Sequence, residues 1–174
     1  MAADGRNIVL VGFMGTGKSA VGKLLAERLG RPFVDLDRKI EKEVGRTVAQ
    51  IFQGEGENGF RKRERDAVLQ AAALKGHVIA TGGGVMMEEE NVRLLKASGW
   101  LVCLTASPEV ILHRTTAALQ TRPLLGGGEP KGRIEALLKL REPFYAKADV
   151  AVDTSDKPVK EIVEEIEKWI AAKR

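Results

Sequence analysis

Residues 7–19 read Asn-Ile-Val-Leu-Val-Gly-Phe-Met-Gly-Thr-Gly-Lys-Ser, and no other stretch restricts the chain so strongly. "NIVLV" is short and almost continuously apolar, as a buried strand is. It runs into three glycines, a lysine and a serine. "SAVGKLLAERLG" then resumes as an amphipathic helix, with Leu24, Leu25 and Leu29 on one face and Gly30 at its stop. Strand, glycine loop and helix at the spacing G-x-x-x-x-G-K-S make a cradle for a polyphosphate. Backbone N–H groups have to converge on the anion, so side chains there are absent or turned away, and glycine accepts the tight dihedrals. The helix beginning near Lys18 aims its N-terminal dipole and free N–H groups at the same place. Lys18 can reach the β- and γ-phosphates, and the Ser19 hydroxyl can ligate Mg²⁺. The plainer alternative is a glycine turn with no ligand. The position of the motif, after a strand and at the opening of a helix, favours nucleotide.

The rest of the chain repeats the strand-then-helix theme. "RPFVDLD" is a short strand ending in acids, and "TVAQIF" and "ENGFRKRERDAVLQAAALKG" are helical. "HVIATGGGV" is a strand running into three glycines, "EENVRLLKASG" a helix and "WLVCLTAS" a strand. "SPEVILHRTTAALQ" opens with Ser107 as a helix cap and Pro108 at the first helical position. "RPLLGGGEPKG" reads as irregular, and "RIEALLKLREPFYAKA" as a helix interrupted by proline. "VAVDT" is a last strand, and "KPVKEIVEEIEKWIAAKR" a last amphipathic helix. Such alternation predicts an α/β domain with a mostly parallel sheet, covered by helices on both faces. With 174 residues, no repeat and no linker, a single domain is expected.

Bulk properties exclude other classes. Hydrophobic residues make up 44% and charged residues 30%, the profile of a soluble globular chain. No apolar run reaches the roughly 20 residues needed to span a bilayer, and "MAADGRNI" carries no apolar signal region, so a cytoplasmic protein is expected. The net charge of +4 is mild, with acids interleaved among the bases, which argues against a nucleic-acid partner. "RKRER" at 61–65 is the densest basic cluster, and Lys62 and Arg65 read as a solvated helix face. The single cysteine, Cys103, has no partner for an internal disulfide and sits among apolar neighbours, as a buried thiol does. His77 and His113 fit no metal or catalytic pattern, and the Met86-Met87 pair reads as packing.

Among nucleotide binders, a GTPase needs Asn-Lys-x-Asp, and none of Asn7, Asn58 and Asn91 precedes a lysine. "WLVCLTAS" and "HVIATGGG" end without an acid. Asp153 comes late and reads as a capping or edge residue. "FVDLD", with Asp35 and Asp37, is therefore the acid-bearing strand end nearest the loop in sequence. Two apart on a strand, they would point the same way and face one site. One could hold Mg²⁺ through water while the other orients or deprotonates an attacking hydroxyl; alternatively, one of them caps the following helix. A small chain with this equipment suggests a kinase for a small molecule.

From "GFMGTGKS" through "DLD", "GENGFRKRE", "TGGGV", "RPLL" and "LREPFY" to "VAVDT", order and spacing resemble the shikimate kinase family along almost the whole length. The resemblance implies a P-loop NTPase-type, nucleoside-monophosphate-kinase-like α/β/α sandwich with a five-stranded parallel sheet. It implies ATP with Mg²⁺ and phosphorylation of the 3-hydroxyl of shikimate, in the route to chorismate and aromatic amino acids. It places ATP on Gly12, Gly15, Thr16, Gly17, Lys18, Ser19 and Ala20, with Arg114 on the adenine side. Arg122 would close over the phosphates from a mobile lid at about 122–132. Asp37 would contact the reacting hydroxyl, so Lys18, Asp37 and Arg122 carry the catalysis. Ser19 and Asp35, the latter through water, would serve the metal. Arg61 and Arg141 would hold the substrate carboxylate, and Gly82, Gly83 and Gly84 would wall the substrate ring, with substrate-binding helices at about 36–61. A monomer is expected.

The residues support parts of this independently. A planar guanidinium grips a carboxylate through two parallel bonds, which lysine cannot copy. Glu64, three residues after Arg61, can brace it on a helix, although a surface ion pair would be worth little. Gly59 is a poor helix former and is expected to shift the start of its helix. The rivals are a kinase of another hydroxylated acid, such as gluconate, and a non-catalytic nucleotide-binding module. The paired arginines and "TGGGV" oppose the first, and the presence of Lys18, Asp37 and Arg122 opposes the second.

Overall fold

The computed structural model describes residues 4–116 and 129–173. Five parallel strands, β1 (Asn7–Gly12), β2 (Phe33–Asp35), β3 (Val78–Ala80), β4 (Gly99–Thr105) and β5 (Val150–Asp153), pair in the order β2-β3-β1-β4-β5. Among the described residues, seven α-helices connect or follow them: α1 (Lys18–Leu29), α2 (Leu36–Val44), α3 (Val48–Ala72), α4 (Glu89–Ser98), α5 (Pro108–Thr115), α6 (Pro130–Tyr145) and α7 (Val159–Ala172). This is the parallel sheet expected, covered by helices on both faces.

Alternation within β1 divides the core. Ile8 and Leu10 join Val78, Val102 and Leu104 beneath α1 and α7. Val9 and Val11 join Ile79, Leu101 and Cys103 on the other face, against α2, α3 and α4. A one-residue slip of β1 would exchange the two sets, so both cores hold its register. Cys103 is buried, as expected, and burial pushes its thiol up to about 11, far from reactivity.

The chain from β1 runs to β2 at one edge, whereas the chain from β3 crosses β1 to reach β4. The crevice beyond the carboxyl ends of β1, β2 and β3 is where such sheets hold ligands. The phosphate loop, the two acids and the glycine triplet all leave strands at that end.

Three local readings are corrected. Gly59 is helical, and the backbone instead breaks α3 at Gly56, with φ 71° and ψ −178°, a region essentially reserved for glycine. Upstream of the break, Thr47 and Gln50 cap each other reciprocally and fix the start of α3. Pro143 does not interrupt α6, which continues through it to Tyr145; its missing N–H leaves one carbonyl of the preceding turn without its helical donor. Residues 130–132, expected to be irregular, are the first turn of α6, because Pro130 at the first helical position is already set to the required φ. Residues 122–128 of the expected lid, Arg122 and Gly126 to Gly128 included, lie outside the described residues.

Candidate active site

The loop after β1 folds as its glycines require. Gly15 and Gly17 have φ of 78° and 97°, and Gly17 directly precedes α1. The Lys18 Nζ donates to the carbonyl oxygens of Gly12 and Phe13, at 2.7 and 2.9 Å, so the lysine lies back across its own loop. The Thr16 hydroxyl also donates to Phe13 O, at 2.7 Å. Met14, Gly15, Gly17, Lys18, Ser19 and Ala20 line a cavity of about 700 Å³, large enough for a nucleotide and a small acceptor together.

The acids reach this cavity by a different route from the one their spacing suggests. β2 ends at Asp35, and Asp37 lies in the first turn of α2, so the two do not share a strand face. The capping alternative holds for Asp35, whose Oδ1 accepts from Arg38 N at 3.3 Å. Its Oδ2 accepts from the Ser19 hydroxyl at 2.6 Å. Serine and aspartate thus put two hard oxygen donors side by side at the mouth of the loop. That suits Mg²⁺, which takes one or two carboxylates plus substrate phosphates rather than an all-protein cage. The described residues contain no cluster of three acidic, histidine or cysteine ligands.

The triplet Gly82, Gly83, Gly84 forms the far wall, and its lack of side chains serves the protein's own charges. A Cβ on Gly82 would lie 2.8 Å from Glu64 Oε2 and 2.9 Å from Asp37 Oδ1. One on Gly83 would meet Arg141 Nη1 at 3.3 Å, and one on Gly84 would lie 2.5 Å from both terminal nitrogens of Arg61. Two carboxylates and two guanidiniums therefore press against three bare α-carbons. Arg61 donates to Glu64 Oε1 at 2.8 Å and to Glu57 at 3.4 Å. Glu64 is 1% exposed, so this is not the surface ion pair that would be worth little. Arg141 is also buried, over the ring of Phe13. Its Nη1 and Glu64 Oε2 are buried polar atoms without a hydrogen bond among the described residues. Groups of this kind cost free energy until a ligand satisfies them. The Tyr145 hydroxyl, donating to Gly83 O at 2.6 Å, pins the middle of the turn. Tyr145 was not singled out in the sequence, although its place four residues after Arg141 puts both on one face of α6.

Burial pushes the Glu64 carboxyl up to about 7; Arg61 pulls it down, and Asp37 and Glu88 add to the rise. Native Glu64 therefore holds its proton more tightly than in the unfolded chain, where its value is near 4.5. Its contribution to stability is complete below pH 4.5 and is lost as pH rises through 7. Between pH 5 and 7.5 the parent should lose about 2 kcal/mol through this group, and Glu64→Gln should lack that loss. Urea unfolding at the two pH values measures it, and an unchanged difference in Glu64→Gln would remove Glu64 as the cause.

Arg114, expected on the adenine side, lines the same cavity, and its guanidinium binds protein carbonyls. It donates to Gly15 O, to the Thr154 hydroxyl and to Thr154 O at 3.2, 3.0 and 2.7 Å. Arg122 lies outside the described residues. Thr154, like Tyr145, was not singled out. Asp153, read as a capping or edge residue, accepts from Ser155 N and Oγ beyond the end of edge strand β5.

A phosphate loop at the head of a parallel sheet, opposite a charged acceptor wall, defines a small-molecule kinase of the P-loop class. Residues 14–171 match the family model "Shikimate kinase". A shikimate kinase of Symbiobacterium thermophilum is 52% identical over 92% of this chain and 93% of its own. Among solved structures, a shikimate kinase from Acinetobacter baumannii in complex with shikimate superposes with a TM-score of 0.93 at 39% identity, over 97% of this chain and 94% of that one. A gluconokinase from Sinorhizobium meliloti, 19% identical with a TM-score of 0.59 over 97% of this chain and 93% of that one, shares the fold alone. The chain belongs to the shikimate kinase family, and it is an ATP-using kinase. No helix among the described residues is long and apolar enough to cross a membrane.

Proposed function

We propose that this site transfers the γ-phosphoryl group of ATP to the 3-hydroxyl of shikimate, with the residues divided as follows. The loop amides and Lys18 hold the polyphosphate, and Lys18 leaves the Gly12 and Phe13 carbonyls to follow the transferring group. Ser19 and Asp35 hold Mg²⁺, which would neutralise phosphate charge. Asp37 orients the attacking hydroxyl and takes its proton. Arg141 and Arg61 grip the acceptor carboxylate across Gly83 and Gly84. Arg122 assists at the phosphates, a role that rests on the family resemblance. The need for ATP fits the cytoplasm.

The observation that carries the acceptor is the buried Arg141 nitrogen without a hydrogen bond, set against a glycine in a wall that also bears Arg61. An anion is the ligand that such a group requires. ADP release should be fast with shikimate and near background with gluconate; comparable rates with both would overturn the assignment. Arg61→Lys and Arg141→Lys keep the charge but lose the planar fork. Each should raise KM for shikimate roughly 10-fold or more, on the scale of a lost charge-assisted bond, with KM for ATP within about twofold. Equal changes for both substrates would place these arginines elsewhere.

A further inference from the structure

Every carbonyl that the loop turns aside from its ligand needs a donor, and the supply of donors on this loop has two sources. Gly12 O and Phe13 O are served from within, by Lys18 and Thr16. Gly15 O and Thr16 O are served from outside. Arg114, from the end of α5, donates to Gly15 O at 3.2 Å. The hydroxyl of Thr154, just past β5, lies 2.9 Å from both Thr16 O and Thr105 O, sharing its one proton between them. It accepts in turn from Arg114 Nη1 at 3.0 Å. The Thr154 backbone completes the joint, with N donating to Thr105 O at 2.8 Å and O accepting from Arg114 Nη2 at 2.7 Å. Thr154 is fully buried and does not line the cavity.

We propose that Thr154, with Arg114 locked to it, is a positioning residue for the nucleotide phosphates: it holds the Gly15 and Thr16 carbonyls away from the ligand. A trans peptide carries its C=O and N–H on opposite edges. Fixing those two carbonyls outward turns the amides of Thr16 and Gly17 the other way, toward the anion. The clamp spans β4, β5, α5 and the loop, so the loop's orientation is set by the far half of the sheet and not by glycine geometry alone. Preorganised amides of this sort cost no reorientation when charge develops on the transferring group. The proposal rests on the reading of the loop as the ATP site and adds to it a residue that never touches ATP.

Thr154→Val keeps the shape and removes the hydroxyl, and Thr154→Ser restores it. Equilibrium titration with ATP alone reads the clamp without any acceptor, so a fault in the shikimate assignment would not disturb it. The valine variant should bind ATP roughly three- to tenfold more weakly, the scale of one or two lost hydrogen bonds. Its kcat/KM for ATP should fall by a similar factor, KM for shikimate should stay within about twofold, and the serine variant should recover most of the loss. A merely structural threonine would lower the melting temperature without separating the two substrates. ATP affinity within twofold of the parent in Thr154→Val, an equal loss for shikimate, or a serine variant as impaired as the valine one would each overturn the clamp.

Discussion

Lys18→Ala should abolish most turnover, by about 10²- to 10³-fold or more, while leaving a folded protein. The lysine is nearly buried and its ammonium is held by two loop carbonyls, so the charge waits beside the loop, largely desolvated, and has only to leave those carbonyls for the phosphates. Alanine removes the only side-chain cation of the loop itself and strips Gly12 O and Phe13 O of that donor. The second effect costs stability, on the order of 1–3 kcal/mol, because the Thr16 hydroxyl still serves Phe13 O. The two consequences separate by measurement. Coupled ADP release at saturating substrates reads turnover, and near-ultraviolet circular dichroism with a melting curve reads the fold. A folded Lys18→Ala protein with near-parent turnover would remove the phosphate loop from the chemistry and with it the kinase reading.

The loop could be read from sequence because it is local: strand, turn and helix start all lie within 13 consecutive residues, 7–19. The alternation of strands and helices was legible for the same reason, since each short apolar run is a strand of its own. The acids were harder. Period-two reasoning put Asp35 and Asp37 on one strand face, yet β2 stops at Asp35 because that side chain caps α2. A three-residue strand offers too little pattern to show where it ends. Gly56 and Gly59 illustrate a second limit. Composition marks both as poor helix formers, but only the fold shows which one has the positive φ. The glycine triplet was legible as a place of close approach, whereas its occupants were not. Arg61, Glu64, Asp37 and Arg141 come from three helices, and only the crossing of those helices at the head of β3 brings them to Gly82, Gly83 and Gly84. Thr154 marks the extreme case. Its partners Thr16 and Thr105 stand 138 and 49 residues away, and nothing local in "VAVDT" distinguishes it.

Asp37→Asn should lower turnover by about 10²-fold or more with ATP binding little changed. The competing role for this residue, capping α2, is filled by Asp35, which accepts from Arg38 N. As an acid in the first turn, Asp37 also has a modest interaction with the helix dipole, about 0.3–1 kcal/mol. Asparagine keeps the shape beside Gly82, so the acceptor still fits, but it can neither draw the hydroxyl proton nor favour the charged oxygen that attacks. The loss therefore belongs in kcat, with KM for ATP within about twofold. A second signature follows from the neighbouring carboxyl. Asp37 is one of the groups that raise Glu64, and removing its charge should let Glu64 ionise at lower pH. The pH-dependent fall in stability assigned to Glu64 should then be smaller in Asp37→Asn than in the parent and be complete at a lower pH. Steady-state kinetics and urea unfolding across pH 5 to 7.5 test both. Turnover within a few-fold of the parent would confine Asp37 to a structural role, and an unshifted stability profile would separate it electrostatically from Glu64.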